Sequence, residues 1–191
     1  MTNHSVYRKA KYIIYKRTVV RPTDLIWSFI GGFIGIGLIG YIQSLSFNQL
    51  ENTFLVGSFG ASAVLLYGAT NSPLSQPRNL VGGHLVSATV GVSIAYCISS
   101  PELHWLACAL AVGLAIVGML ITKTVHPPGG ATALIANIGS EKIKSLGYMY
   151  VLNPILTGTI ILLVVALIFN NLPKNRSYPY KWKKKSGHLP T

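Results

Sequence analysis

The sequence predicts an all-α membrane protein, a polytopic helix bundle with four full spans plus two short helices. Three observations predict this class. Of the 191 residues, 50% are hydrophobic and 10% are charged, whereas a soluble domain carries about 25% charged residues. The charges lie near the two ends of the chain and leave 25–170 nearly uncharged. Four apolar runs reach the roughly 20 residues that a membrane-spanning helix needs. An ordinary soluble enzyme is therefore not expected.

The long apolar runs are 25–45, 79–99, 103–122 and 148–169, and two shorter runs lie between them at 54–69 and 129–138. Gly and Pro flank the shorter runs. We expect these runs to form broken or re-entrant helices, which membranes tolerate only where protein or a cavity surrounds them.

The charge distribution divides the chain into three parts. Residues 1–22 form a basic N-terminal segment, 23–170 a transmembrane domain and 171–191 a basic tail, and the net charge is +12. Because basic residues favour the cytoplasmic side, both termini are expected to be cytoplasmic, or stromal in a plastid. The number of crossings is then even, and four and six both satisfy this. The N-terminal stretch is not expected to be a secretory signal. Nucleic-acid binding is not expected either, because the charges do not share one face of a soluble core.

Short matches in the same order predict an internal repeat, with repeat one at 23–99 and repeat two at 101–170. The matches pair Asp24–Trp27 with Glu102–Trp105, Gly60–Leu65 with Gly130–Ile135, and Gly83 with Gly158. Each half would contain a long, a short and a long helix. Inverted repeats are common in transporters whose site lies near the midplane, although a duplication that only stabilised a bundle gives the same matches.

The segment Thr122–Ala133 holds the densest group of candidate site residues. Pro127 and Pro128 interrupt a preceding helix and suit the first turn of the next one. Gly129 and Gly130 leave the backbone uncovered at that helix start, where free N–H groups attract anions.

Three further side chains of this segment could add to an anion site. Lys123 and a protonated His126 would supply positive charge, and Thr132 would supply a hydroxyl. A helix break capped for packing, with Lys123 reaching the interface, explains the same residues. The segment therefore predicts a small-anion site without excluding a purely structural role.

The matching stretch Gly57–Ala63 offers the hydroxyls of Ser58 and Ser62 to the same anion. Gly60 is expected to have a structural role, because small residues let membrane helices pack closely. For this stretch alone, packing and binding are both open.

A third group lies at Gln76–His84. Pro77 and Asn79 are expected to be structural, while Arg78 could hold a planar oxyanion or act as a positive-inside anchor. His84 lies inside an apolar run, where ionisable groups are costly and usually functional. A neutral His bonded to a neighbouring helix would cost little.

The sequence contains no paired carboxylates for acid–base catalysis, no metal-ligand cluster and no nucleotide-binding motif. We therefore expect no catalytic residues, no metal and no cofactor.

The motif His126–Ala133, together with Gly57–Ala63 and Gln76–His84, resembles the HPP family of small integral membrane proteins. The resemblance covers about 20–170. This family is usually described as having four transmembrane helices, and its cyanobacterial and plastid members are associated with nitrite transport. The resemblance thus implies transport of nitrite or a similar small anion.

Together these features predict a multi-pass transporter or channel for a small inorganic anion, nitrite first, bound between the starts of the two short helices. The expected location is the plasma (inner) membrane or, in a plant, the plastid envelope. We expect anionic lipids at the basic tails and a homo-oligomer, since one copy forms a thin wall around a pathway. The alternative is a membrane-anchored interaction or scaffold protein whose basic tails bind anionic lipid or an acidic partner.

Overall fold

A computed structural model of the chain describes residues 21–180. These residues form α-helices with short 3-10 and π-helical turns and contain no strand, so the predicted all-α bundle is confirmed. The helices are α1 (Pro22–Ser44), α2 (Gln49–Ala63), α3 (Pro77–Cys97), α4 (His104–Ile121), α5 (Pro128–Ile138), α6 (Glu141–Ser145) and α7 (Thr157–Phe169). The π-helical turns are Val64–Gly68 and Val151–Leu156, and the 3-10 turns are Pro73–Ser75 and Pro101–Leu103.

Four helical stretches are long and apolar enough to cross a membrane, and they coincide with the four predicted long runs. They are Pro22–Ser44, Pro77–Cys97, Pro101–Ile121 and Val151–Phe169. Pro22 and Pro77 stand in the first turns of α1 and α3, where the missing N–H of proline has no helical partner to lose.

Helix α2 begins earlier than the sequence reading expects. Asn48 accepts a hydrogen bond from the Glu51 N–H at 2.9 Å, and the Glu51 carboxylate accepts one from the Asn48 N–H at 3.0 Å. This reciprocal capping box starts the helix at Gln49. With its π-helical turn, α2 continues without a break to Gly68, about 30 Å at 1.5 Å per residue. The stretch Gly57–Ala63 therefore lies inside a helix and is not a helix start.

Helix α5 is short, as the sequence predicts. Its 11 residues span about 16 Å, roughly half of the hydrocarbon core. The chain then turns at Gly139 into α6, whose first turn is capped by the Ser140 hydroxyl.

The helix ends gather at two opposite ends of the bundle. The Arg78 end holds the starts of α1, α3 and α5, and Arg78 donates there to the Thr122 carbonyl at 2.7 Å, directly after α4. The Glu51 end holds the start of α2 and the segment after α5, and the Ser140 hydroxyl donates there to Glu51 at 2.6 Å. Lys142 likewise donates to the Ser46 carbonyl after α1. The four long segments, α2 and α5 therefore run alternately towards the Glu51 end and towards the Arg78 end.

Charge differs between the two ends among the described residues. The Arg78 end carries Arg21, Arg78, Lys123, Lys174 and Arg176 against Asp24, and the Glu51 end carries Lys142 and Lys144 against Glu51, Glu102 and Glu141. The excess of cations predicts that the Arg78 end faces the cytoplasm.

The start of the basic tail packs onto the bundle. Arg176 forms an ion pair with Asp24 at 3.0 Å, and the Tyr178 hydroxyl donates to the Ser75 carbonyl at 2.8 Å. Tyr178 is buried against the bundle. The remainder of the two predicted basic segments, residues 1–20 and 181–191, lies outside the described residues. The internal repeat stays a prediction.

Candidate functional site

Four polar side chains that the sequence singles out separately meet in the core of the bundle. The Ser62 Oγ lies 2.8 Å from the His84 Nε2 and 2.9 Å from the His126 Nε2. The His84 Nδ1 lies 2.7 Å from the Thr132 Oγ1. All four residues are fully buried, so they form one continuous polar cluster away from water.

Each member of the cluster comes from a different segment. Ser62 lies in the last turn of α2 and His84 in the second turn of α3. His126 belongs to the connection between α4 and α5, and Thr132 lies near the start of α5. Ser62 and Thr132 occupy matching positions of the two predicted repeats, and they bind opposite nitrogens of one imidazole.

The carbonyl of Leu74 fixes where the protons lie. This oxygen is 2.8 Å from the His126 Nδ1 and can only accept, so that nitrogen carries a proton. In neutral His126 the Nε2 then accepts from the Ser62 hydroxyl. Since Ser62 has one proton, His84 donates to Ser62 from Nε2 and accepts from Thr132 at Nδ1. With both rings neutral, every link has one proton and all donations run from Thr132 towards Leu74.

Close backbone packing holds this arrangement. A Cβ on Gly83 would lie 2.5 Å from the His126 Cβ and 2.7 Å from the Thr124 carbonyl oxygen. Only glycine lets α3 approach the connection so closely. Gly60, expected to serve this role, has nothing within 4 Å of such a Cβ. The close approach of two segments thus occurs at Gly83.

The start of α5 differs from the predicted anion site. Pro128 occupies the first turn and Pro127 precedes it. The Gly129 N–H donates to the His126 carbonyl at 2.8 Å, and the Gly130 N–H donates to the Pro127 carbonyl at 3.0 Å. These two amides are therefore not free for an anion.

The two helices that the sequence predicts to be short also start at opposite ends of the bundle, because α2 begins at Gln49 and α5 at Pro128. The expectation that two helix starts converge on one ion is wrong. Instead, the Ser62 hydroxyl near the end of α2 and the Thr132 hydroxyl near the start of α5 both bind His84.

Other candidate residues lie near the cluster or at the surface. Ser58 is buried, and its hydroxyl donates to the Leu55 carbonyl at 3.1 Å within α2. Arg78 and Lys123 are exposed at the Arg78 end, and Lys123 has a positive φ of 56°. Asn79 donates to the Val125 carbonyl at 2.8 Å, which ties the start of α3 to the connection before α5. These contacts support the structural role expected for Asn79.

A cavity of about 620 Å³ opens at the Glu51 end, and the sequence reading does not predict it. Its wall includes Tyr96, His104, Asn137, Lys144 and Tyr150. The volume is in the range of small-molecule sites. Lys144 and the hydrogen-bonding groups of the wall suit a small polar solute.

Tyr150 connects this cavity to the cluster. Its side chain lines the cavity, and its hydroxyl donates to the Thr132 carbonyl at 3.0 Å. Ala136, one helical turn beyond Thr132, lines the cavity as well. Thr132 itself is fully buried and does not line the cavity, and Tyr150 is the side chain that joins the two.

Three groups near the site are not predicted from the sequence. The Leu74 carbonyl and Tyr150 give no signal, because their roles depend on packing between distant segments. Ser87 could have been found, since it follows His84 by one turn on the same helix face. Its buried hydroxyl has no hydrogen-bond partner among the described residues. The described residues contain no His, Cys, Asp and Glu group suited to a metal.

Comparison with known proteins agrees with this architecture. Residues 17–179 match the family described as HPP, transmembrane region. Two transmembrane proteins of Dictyostelium discoideum are 49% and 43% identical over 160 residues, which is 82% of this chain in each case. Those residues are 50% and 55% of the relatives' lengths, so the chain spans about half of each. No solved structure matches. The chain belongs to the HPP family of transmembrane proteins.

Proposed function

We propose that this chain is a transmembrane transporter for a small inorganic anion, with nitrite as the first candidate. The observation that carries the proposal is the buried cluster of Ser62, His84, His126 and Thr132. Polar and ionisable groups inside a membrane are costly and usually mark a substrate or proton pathway. A bundle that only anchors the chain needs no such cluster.

The access route we propose starts in the cavity at the Glu51 end and leads to Thr132. The cavity has room for an anion with part of its water shell, and its wall includes Lys144, which is paired with Glu141 at 3.4 Å. At the end of this route, the Thr132 hydroxyl replaces a water molecule of the anion's shell. This route replaces the binding site between helix starts, whose amides are occupied.

Anion uptake into liposomes that contain the purified chain tests the proposal. We would compare nitrite, nitrate, formate, bicarbonate and chloride at neutral pH, with protein-free liposomes to correct for the leak of protonated acids. We expect uptake of at least one of these anions above the leak. Uptake at the leak rate for all of them would refute the proposal.

Matched variants locate the pathway. His126→Gln and Thr132→Val change the cluster, and we expect each to lower uptake at least tenfold. Ser58→Ala removes a buried hydroxyl of α2, the helix of Ser62, that bonds only to the Leu55 carbonyl, and uptake should stay within twofold of the wild type. Arg78→Ala distinguishes the two roles considered for Arg78, a positive-inside anchor and an anion-binding residue. Its side chain bonds to the Thr122 carbonyl at the surface.

We also propose a homo-oligomer and anionic lipid at the basic tails. Many large apolar side chains of α1 and α4 are exposed and suit lipid or a second copy. Crosslinking in mild detergent tests the oligomer, and flotation with vesicles of anionic or neutral lipid tests the tails.

A further inference from the structure

We propose that the cluster is a two-state hydrogen-bond relay, in which uptake of one proton leaves a positive charge on His126, reverses three hydrogen bonds and frees the Thr132 hydroxyl to bind an anion. This inference rests on the proposed function for its purpose. Its physical basis is the set of distances that joins Leu74, His126, Ser62, His84 and Thr132.

The neutral state has a single arrangement of protons. His126 must donate to Leu74, so it can only accept from Ser62, and the remaining links follow. The Ser58 carbonyl, 3.3 Å from the Ser62 Oγ, is a competing acceptor. If Ser62 donated there, the bare Nε2 of His126 would face an oxygen lone pair. The neutral cluster therefore holds the Thr132 proton on the bond to His84.

Addition of one proton gives a second complete arrangement. His126 becomes an imidazolium that donates to Leu74 from Nδ1 and to Ser62 from Nε2. The Ser62 hydroxyl proton passes to the His126 Nε2, the His84 Nε2 proton replaces it on Ser62, and the Thr132 hydroxyl proton passes to the His84 Nδ1. The incoming proton replaces the one that Thr132 has lost. Ser62 now donates to the His84 Nε2, and the His84 Nδ1 donates to Thr132. The positive charge resides on His126, no hydrogen bond of the cluster is lost, and only the directions of three links change.

The consequence appears at Thr132, at the other end of the relay from His126. In the neutral state its proton is committed to His84. In the protonated state Thr132 accepts from His84, and its own proton is free for another acceptor. An anion oxygen that reaches Thr132 from the cavity, past Tyr150, would be that acceptor. The imidazolium also compensates the anion's charge, which is costly to bury alone.

The surrounding elements place few other titratable groups near the relay. α5 has none, and the only one of α2 is Glu51, at the opposite end. α3 contributes His84 itself, Arg78 at the surface, and Tyr96 and Cys97 at its far end, and α4 contributes His104 and Cys108 near its start. Tyr150 donates to the Thr132 carbonyl, and Tyr178 donates to the Ser75 carbonyl beside Leu74. Lys123 is the exposed cation of the connection that carries His126. The two imidazoles are therefore the groups expected to take up the proton.

Solid-state NMR of the full chain in lipid vesicles, with ¹⁵N-labelled histidine, tests the relay without any substrate. His84→Gln and His126→Gln assign the signals, and His104→Gln identifies a histidine outside the cluster. At high pH we expect the Nε2–H form of His84 and the Nδ1–H form of His126. On acidification, His126 should become doubly protonated, and His84 should change to the Nδ1–H form over the same pH range. A wild-type His84 that keeps its form, or that itself becomes doubly protonated, overturns the relay.

Variants test whether Ser62 carries the coupling. In Ser62→Ala the form of His84 should no longer follow the titration of His126, whereas in Ser58→Ala it should follow as in the wild type. A switch that persists in Ser62→Ala also overturns the relay. The wild-type measurement decides the matter alone if Ser62→Ala does not fold. Anion uptake without the switch refutes the relay only, and the switch without uptake of any anion refutes the proposed function.

Discussion

Among substitutions that remove a single oxygen atom, Ser62→Ala is the one for which the structure predicts the largest loss of stability. The hydroxyl joins two imidazoles, so its removal leaves the His84 N–H and the His126 Nε2 without partners. A buried group without its hydrogen bond costs about 1–3 kcal/mol, which gives about 2–6 kcal/mol for the two. The lower end applies if the rings, whose centroids are 5.0 Å apart, shift to bond each other directly.

Ser58→Ala is the matched control, because it makes the same chemical change one turn earlier in the same helix. Ser58 is buried too, but its hydroxyl only adds a bond to the Leu55 carbonyl. We expect less than about 1 kcal/mol there. For a chain of this size, 1 kcal/mol corresponds to about 2–4 °C in Tm.

Thermal unfolding in detergent, followed by tryptophan fluorescence, compares the two variants. Ser62→Ala should lower Tm at least about 2 °C more than Ser58→Ala, by the same conversion of about 2–4 °C per kcal/mol. Equal shifts would show that the Ser62 contacts contribute no more than an ordinary helix hydroxyl. The proton assignment through the cluster would then lose its basis.

Three further predictions concern packing, pH and the tail. Gly83→Ala should destabilise by about 1–3 kcal/mol through overpacking, whereas Gly60→Ala, with open space for its Cβ, should be neutral or stabilising in the same unfolding assay. The Ser140 hydroxyl and the Asn48 N–H hold the pKa of Glu51 below its ordinary value of 4.5. The folded carboxyl thus binds protons less readily than the unfolded one, so its stabilisation is present above about pH 4.5 and disappears as the pH falls further. The Tm difference between wild type and Glu51→Gln should shrink in that range. Deletion of 181–191 should leave uptake unchanged, and loss of uptake would instead favour the scaffold alternative.

The long spans could be predicted from composition because a bilayer imposes one requirement on every spanning helix. Length and hydropathy alone decide it, so runs such as 79–99 agree with Pro77–Cys97. The start of α2 depends instead on two polar residues, Asn48 and Glu51, that precede the apolar run. Their N-x-x-E spacing is a visible capping signal, but polar residues beside an apolar run also suit an interfacial loop.

The residues of the site could be predicted from the sequence, but the contacts between them could not. His84 and His126 attract attention because imidazoles are rare inside membrane segments. That both bind Ser62 depends on the close approach of α3 to the connection at Gly83, which is a property of packing. The charged candidates Arg78 and Lys123 follow a different rule, since fixed charges favour the interface over the core.

The different positions of the permanent charges and of the titratable groups lead to a final prediction about transport. The permanent cations lie at the ends of the bundle, and the core holds groups that are uncharged until a proton arrives. An anion that enters with one proton crosses without net charge, so uptake should not respond to a membrane potential. An anion that crosses alone gains or loses about 2.3 kcal/mol at 100 mV, about 50-fold in accumulation. Nitrite uptake with a potassium diffusion potential of either sign, at equal pH on both sides, separates the two. A 50-fold dependence on the potential would show that the anion moves without the proton and would remove His126 from the transport step.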